Sequence, residues 1–193
     1  MQTIDRSKTQ VSSTAGTYRK VAQFIGDSNT TGKPVRVLDF GAGLCEGTRI
    51  LNHHESNYID AWSLEPFAKR GVSPHFRSFK EVNGKFDFVV NNCVLNVIED
   101  LHERVNTVRQ MLSVLKDGGK AIIMVRSHSA VKSNKTNTPY SDGFVNSKGT
   151  FQRGFNTNEL SSLVTVASHD VEGTFRLTKT DLGNVGVIVT RES

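Results

Sequence analysis

The sequence has 193 residues, 36% hydrophobic and 22% charged, which predicts a globular domain large enough to bury a core. No apolar run approaches the roughly 18 residues of a membrane span, and the polar N-terminus lacks the apolar stretch of a secretory signal, which favours a cytoplasmic protein. The net charge of +5 permits an anionic partner, while Cys45 and Cys93 suggest neither a disulfide framework nor a metal site.

Residues 35–126 alternate apolar runs of strand length with stretches of helical spacing, which favours a parallel sheet covered by helices. Residues 1–11, in front of this part, are expected to form a flexible tail. The elements predicted up to residue 126 are helices over 12–27, 46–54 and 99–115, with strands over 35–39, 59–64, 75–79, 86–90 and 120–126. The strand over 75–79 is the weakest of these, and a turn over 116–119 is expected to end the last helix.

The last third of the chain changes character. Residues 127–156 are rich in Ser, Asn, Thr, Lys and Gly, and we interpret them as a long loop on the substrate side. A helix over 157–167 follows, and then strands over 171–179 and 186–191. The link between these two strands is too short for a parallel crossover, so they must pair antiparallel. We therefore expect a single domain over residues 1–193 that ends in an antiparallel hairpin.

The predicted strand that ends at Asp39 runs into a glycine turn, Gly41-Ala42-Gly43, and then into a helical pattern. Glycine lets the backbone pass close to a ligand, and the start of a helix presents N–H groups to it. Alone, such a turn is a weak signal for cofactor binding. The Gly-x-Gly-x-x-Gly fingerprint of NAD-dependent oxidoreductases would need its third glycine one residue before Gly47.

With these elements in this order, the chain from about residue 35 to its end resembles the class I S-adenosylmethionine-dependent methyltransferases. The resemblance implies an α/β fold with a Rossmann-like seven-stranded sheet and helices on both faces. Five or six of its strands are expected to be parallel and the last one antiparallel. The predicted N-terminal helix matches one that often precedes this fold.

Two other stretches are more idiosyncratic. They read Val94-Leu95-Asn96-Val97-Ile98-Glu99-Asp100 followed by Glu103-Arg104, and Asp142-Gly143-Phe144-Val145 followed by Gly149-Thr150-Phe151-Gln152 and Glu159-Leu160. Both are similar to segments of the methyltransferases associated with DNA phosphorothioation systems. Members of that family are usually longer proteins, so this chain would correspond to their methyltransferase part.

The resemblance implies S-adenosylmethionine as the cofactor and assigns it residues at the ends of successive strands. Its amino-acid portion would lie over Gly41, Ala42 and Gly43 beside Asp39, whose alternative role is to cap the turn. Glu65, 22 residues after Gly43, would accept the ribose hydroxyls unless it is a solvated surface glutamate. The residues expected around adenine and the transferring methyl group are Pro66, Phe67, Ser78, Phe79, Asn91, Asn92 and Cys93. The aspartate usual near residue 78 is absent, and Phe67 could equally be a core residue.

The acceptor pocket is expected where the 127–156 loop meets the N-terminal helix. His128 is the first choice for a general base, although an exposed loop histidine is the simpler interpretation. Asn91 would lie at the rim that faces the methyl group. Other polar candidates on the substrate side are Tyr18, Asn96, Arg126, Tyr140, Gln152 and Arg153. Four basic residues make the loop basic, which suits either phosphate contacts or plain solvation: Lys132, Lys135, Lys148 and Arg153.

The sequence thus favours methyl transfer to a nitrogen or oxygen nucleophile, with a nucleic acid or nucleotide as the preferred substrate. Asn91-Asn92-Cys93-Val94 lacks the Asn/Asp-Pro-Pro-Tyr/Phe motif of DNA amino-methyltransferases, and no Pro-Cys pair points to cytosine carbon-5 chemistry. The alternatives are a small-molecule or protein methyltransferase, an NAD-dependent oxidoreductase, and a non-catalytic cofactor-binding protein. The closing hairpin and the lack of a catalytic Tyr-x-x-x-Lys count against the oxidoreductase.

Overall fold

A computed structural model describes residue 4 and residues 15–55, 58–132, 137–183 and 185–193. The predicted tail over 1–11, residue 4 apart, and the first three residues of the predicted N-terminal helix lie outside these ranges. Within the described ranges, no helix has the length and apolar character needed to cross a bilayer.

Five helices and nine strands follow one another in the described chain. In order they are α1 (Ala15–Ser28), β1 (Val35–Phe40), α2 (Glu46–Asn52), β2 (Ile59–Leu64), β3 (Phe86–Asn92), α3 (Leu101–Ser113), β4 (Leu115–Val125), α4 (His128–Lys132), β5 (Thr138–Tyr140), β6 (Gly143–Val145), β7 (Phe151–Gln152), α5 (Thr157–Ser168), β8 (Phe175–Thr180) and β9 (Val185–Arg191). Two short 3₁₀ helices cover Phe79–Glu81 and Leu95–Val97.

Six strands form the main sheet in the order β2-β1-β3-β4-β9-β8. Strands β1 to β4 pair in parallel, whereas β9 is antiparallel to both of its neighbours, β4 and β8. The predicted α/β fold with a closing antiparallel hairpin is therefore confirmed. The parallel pairs bring the carboxyl ends of β1, β2 and β3 to one edge of the sheet, where open α/β sheets bind ligands.

The sheet has six strands rather than seven because residues 75–79 do not form a strand. Phe76 makes a single parallel bridge to Leu64 at the outer edge of β2. Beyond Phe76, hydrogen bonds to side chains take the place of strand pairing. The Arg77 N–H donates to the Glu81 carboxylate at 2.7 Å, and Ser78 caps the 3₁₀ helix that follows. Local side-chain bonds thus compete successfully with strand pairing at this edge.

Other predicted boundaries differ from the structure as well, including the strand predicted over 171–179, which begins only at Phe175. The helix expected over 99–115 begins only after Asp100, whose carboxylate accepts the N–H of Glu103 at 2.8 Å. The stretch 116–119, expected to be a turn, is part of β4, where the pairing with β3 shifts register between Phe86 and Phe88. The 127–156 segment is not a structureless loop, since it contains α4 and a three-stranded antiparallel sheet of β5, β6 and β7.

Helices cover both faces of the sheet, as predicted. Val37 of β1 points into a core with α1 and α2, whereas the next residue, Leu38, points into a larger core with α3 and α5. This alternation follows from the two-residue period of side chains along a strand. Each face therefore contributes its own helices to the edge where β1, β2 and β3 end.

Candidate cofactor site

A cavity of about 310 Å³ lies at the carboxyl ends of β1, β2 and β3. Its walls come from α1, from the turns that follow the three strands, and from α3. The lining consists of residues 18, 40–44, 46–47, 64–67, 79, 92–94, 97–98, 103, 107 and 110. The turn after β1 thus lies in one cavity with the ends of both neighbouring strands, as the sequence predicts for a cofactor site.

The turn after β1 is held in place by its neighbours. The N–H groups of Gly41 and Ala42 both donate to the Leu64 carbonyl, at 2.8 and 3.0 Å. Gly41 has φ +80°, and a Cβ there would overlap the Val94 side chain, so this position requires glycine. Val94 therefore lies against the turn, and both line the cavity.

Cys45 occupies a position in this turn that the sequence analysis missed. It precedes α2 in the left-handed region at φ 57°, a conformation that costs a non-glycine residue about 1–2 kcal/mol. The turn is therefore Gly-x-Gly-x-Cys, with a non-glycine residue in the left-handed region. Gly47 has a different role, because a Cβ on it would overlap the ring of Tyr18.

Asp39 is fully buried and does not line the cavity. Its two carboxylate oxygens accept from the hydroxyls of Tyr18 at 2.5 Å and Thr48 at 2.7 Å, so it ties α1 and α2 to the end of β1. Burial raises the pKa of Asp39 to about 6, against the lowering effect of these two hydrogen bonds. Burial and the neighbouring Asp39 raise the pKa of the Tyr18 hydroxyl well above its usual value.

Because the folded-state pKa of Asp39 lies above its unfolded value of 3.8, this group stabilises the fold below about pH 4 and loses that contribution as the pH rises through 6. The loss is about 3 kcal/mol. We expect Asp39→Asn to remove this dependence, so that the variant gains stability relative to wild type between pH 4 and pH 7. Urea unfolding at pH values across this range measures the free energy of unfolding, with the exposed Asp60→Asn as control. If the free energies of unfolding of Asp39→Asn and wild type changed in parallel with pH, the expectation would be wrong.

Glu65 is only 6% exposed and lines the cavity directly after β2. Its carboxylate accepts the N–H of Gly43 at 2.7 Å and the N–H of Phe67 at 2.9 Å. It is therefore not a solvated surface glutamate. A carboxylate has about four acceptor sites, so these two bonds leave capacity for a diol. Pro66 and the 47% exposed Phe67 continue the wall beside it.

The polar residues at the carboxyl end of β3 differ in whether they line the cavity. Asn91 is fully buried outside the lining, and its Nδ2 donates to the Phe40 carbonyl at 3.2 Å. Asn92 lines the cavity, and its buried Nδ2 has no partner among the described residues. Cys93 also lines it at φ 62°, and burial raises the pKa of its thiol. A neutral thiol is a poor nucleophile, which agrees with the absence of a Pro-Cys motif.

The predicted substrate-side residues, Tyr18 apart, lie outside the cavity lining. The Nε2 of His128 lies 2.6 Å from Glu159 Oε2 at the start of α5, a position that does not support its assignment as general base. Asn96 is fully buried and fastens neighbouring backbone: its Oδ1 accepts the Arg126 N–H at 2.9 Å, and its Nδ2 donates to the Arg153 carbonyl. Tyr140 packs edge-on to Phe151, and Gln152 accepts a hydrogen bond from the Arg126 guanidinium. Of the loop lysines, Lys132 is exposed and Lys135 lies outside the described residues.

The two idiosyncratic segments of the sequence meet at Arg104. This side chain is fully buried and donates two bonds to the Asp142 carboxylate, both of 2.7 Å, and others to the carbonyls of Ile98 and Glu99. Arg153 adds a second contact to Asp142 at 3.1 Å. The ion pair thus connects the start of α3, beside the cavity, to the small sheet of β5, β6 and β7.

The sequence matches a family model described as a methyltransferase domain over residues 12–163, which is most of the chain. A search of the curated proteins finds no match. Among solved structures, a similar one is an S-adenosylmethionine-dependent methyltransferase from Clostridium acetobutylicum, with a TM-score of 0.60 and 15% identity over 96% of this chain and 94% of that one.

Two other similar structures are of methyltransferases with a described substrate type. The sugar N-methyltransferase KedS8 from Streptoalloteichus has a TM-score of 0.63 at 16% identity, over 92% of this chain and 87% of its own. CalS10 from Micromonospora echinaspora, solved with S-adenosylmethionine bound and described as an amino pentose methyltransferase, has a TM-score of 0.61 at 13% identity, over 96% and 94%. At these identities the likeness concerns the fold.

Proposed function

The chain belongs to this methyltransferase family and has the class I fold, and on that premise we propose that it transfers the methyl group of S-adenosylmethionine to a nitrogen or oxygen of a small molecule. The observation that carries the proposal is the pairing of Glu65 with Gly43. A buried carboxylate at the end of β2 is hydrogen-bonded to the glycine turn at the end of β1, inside one cavity.

The residues present fit the cofactor. The Gly41–Gly43 backbone would hold the amino-acid portion, and Glu65 would accept the ribose hydroxyls. Asn92, with a buried and unpartnered amide nitrogen among the described residues, can donate to a bound group at the rim. S-adenosylmethionine, when bound, supplies an electrophilic methyl group on a sulfonium centre. The chain then needs to orient donor and acceptor, and an acceptor amine in its neutral form needs no strong base.

The charge of the cavity gives no support to an acceptor that brings a phosphate group into it. Glu46, Glu65 and Glu103 line it, and within the described residues its lining contains no lysine, arginine or histidine. A phosphate brought there would meet carboxylates without a compensating cation, which is unfavourable in a partly buried site. Arg153, which directly follows Gln152 of the second idiosyncratic segment, already contacts Asp142 and Glu159.

The preference for a nucleic acid or nucleotide substrate therefore lacks support from this site, and two similar structures are described as methyltransferases of a sugar and of an amino pentose instead. The closer resemblance to the methyltransferases associated with DNA phosphorothioation systems stays a prediction. It rests on two segments that contact each other through Arg104 and Asp142.

Calorimetry with S-adenosylhomocysteine and with NAD tests the cofactor assignment, and we expect only the first to bind. Transfer of a labelled methyl group to pools of amines, aminosugars, hydroxylated compounds and oligonucleotides then tests the acceptor. Labelling is expected in a small-molecule pool. Binding of NAD alone would overturn the proposed function, and labelling confined to oligonucleotides, with the steep salt dependence of phosphate contacts, would overturn the proposed substrate class.

A further inference from the structure

The stretch between β3 and α3 borders the cavity on one side and the small sheet of β5, β6 and β7 on the other. Val94, Val97 and Ile98 of this stretch line the cavity. Asn96 lies among them in sequence but is fully buried outside the lining, and its carbonyl accepts the Arg153 N–H at 2.8 Å. Arg153 directly follows β7. One short stretch thus forms part of the cavity wall and holds one end of the small sheet.

Arg104, at the start of α3, makes a second connection between this wall and the small sheet. Its Nε donates to the Ile98 carbonyl at 2.7 Å, and a terminal nitrogen donates to the Glu99 carbonyl at 2.9 Å. Two further bonds, both of 2.7 Å, go to the Asp142 carboxylate. Four of the five N–H groups of the guanidinium are therefore used, two on the stretch that forms the wall and two on the small sheet.

The tip of the small sheet encloses the Arg104 guanidinium. Asp142 belongs to the short turn that joins β5 to β6, and the guanidinium carbon lies 5.9 Å from the centre of the buried Phe151 ring of β7. A Cβ on Gly143 would overlap both this ring and the Gln152 carbonyl, so the turn can approach β7 this closely only with glycine at position 143. The turn and β7 thus bind the guanidinium together.

The position of the cavity wall depends on this pairing. Arg104 is fully buried, and a buried guanidinium is costly without a counter-ion. Without the Asp142 carboxylate, two of its N–H groups would lose their acceptors, and the side chain would turn toward water instead of staying on the carbonyls of Ile98 and Glu99. The wall would then lose the donors that fix it, although Asp142 itself lies outside the cavity lining.

We propose that Arg104 is a positioning residue for the cofactor, which holds Val97 and Ile98 in the cavity wall as long as Asp142 holds its guanidinium. The docking of the small sheet on α3 thereby sets the affinity for the cofactor. By linkage, a cofactor that binds the ordered wall stabilises the docked small sheet by the same factor. The inference rests on the proposed function, since it takes the cavity to be the site of S-adenosylmethionine.

Asp142→Asn tests the proposal, because asparagine keeps the size of the side chain and suits a hairpin turn but removes the charge. We expect this variant to bind S-adenosylhomocysteine at least about fivefold more weakly than wild type, measured by calorimetry. The control is Ile188→Ala, in the core shared with α1 and α2 and outside the cavity lining. It should lower the urea midpoint of unfolding at least as much as Asp142→Asn does and yet keep the affinity within about twofold of wild type.

A second measurement uses wild type alone. Saturating S-adenosylhomocysteine is expected to slow hydrogen exchange of the β6 and β7 amides at least about fivefold, while the amides of β8, at the far edge of the main sheet, keep their rates.

Three results would overturn the role of Arg104 while the proposed function stands. They are an unchanged affinity in Asp142→Asn, an equal loss of affinity in Ile188→Ala, and exchange in β6 and β7 that S-adenosylhomocysteine does not slow. If wild type does not bind S-adenosylhomocysteine at all, both the role of Arg104 and the proposed function fail.

Discussion

Glu65→Ala is expected to weaken S-adenosylhomocysteine binding by at least about 100-fold, a loss of roughly 3 kcal/mol. Two effects add up. The variant loses the acceptor for the ribose hydroxyls, and it leaves the N–H groups of Gly43 and Phe67 without the carboxylate that they now contact at 2.7 and 2.9 Å. The turn at Gly43 would then lose a bond that fixes its position over the ligand. Calorimetry of the folded variant measures the loss.

Two further variants separate these effects. Glu65→Gln keeps one acceptor oxygen, so we expect an intermediate loss of about tenfold. Asp60→Ala removes an exposed carboxylate from the same strand, β2, and should leave the affinity unchanged. If Glu65→Ala bound S-adenosylhomocysteine as tightly as wild type does, the assignment of Glu65 to the ribose would be wrong. Near-ultraviolet circular dichroism shows whether each variant retains the native packing.

The cofactor side of this site was predictable because its signals are local. The run from Val35 to Phe40 ends in a glycine turn, and Glu65 follows β2 directly. Strand ends and turns are set by residues close in sequence, and parallel pairing brings the ends of neighbouring strands together. The left-handed conformation of Cys45 was harder to predict, because a cysteine is held in that conformation by its surroundings rather than by its own preference.

The substrate side was not predictable in the same way. His128 and Asn96 were chosen from their positions after predicted strands, but their partners are 31 and 30 residues away in sequence. The small sheet within 127–156 depends likewise on contacts with distant residues, including the bonds between Asp142 and Arg104. Polar composition alone indicates a loop, and it does not indicate which polar side chains will find buried partners.

Asp142→Ala is expected to lower the free energy of unfolding by about 2–4 kcal/mol. The reason is Arg104, whose fully buried guanidinium would lose two charged hydrogen bonds of 2.7 Å and remain in the interior without a counter-ion. Burial alone would raise the pKa of Asp142, but the hydrogen bonds and charge of Arg104 outweigh it and lower the pKa. The stabilisation is therefore present at neutral pH and lost in acid, as the pH falls through the folded-state pKa.

Asp170→Ala is the matched control, because Asp170 also pairs with an arginine, Arg109, but both side chains are more than a third exposed. Exposed pairs contribute about 0–1 kcal/mol, so this variant should unfold at nearly the wild-type urea concentration. Equal losses in the two variants would mean that Asp142 acts as an ordinary surface charge. Hydrogen exchange adds a local readout: in Asp142→Ala the amides of β6 and β7 should lose protection first, because Asp142 connects their sheet to α3.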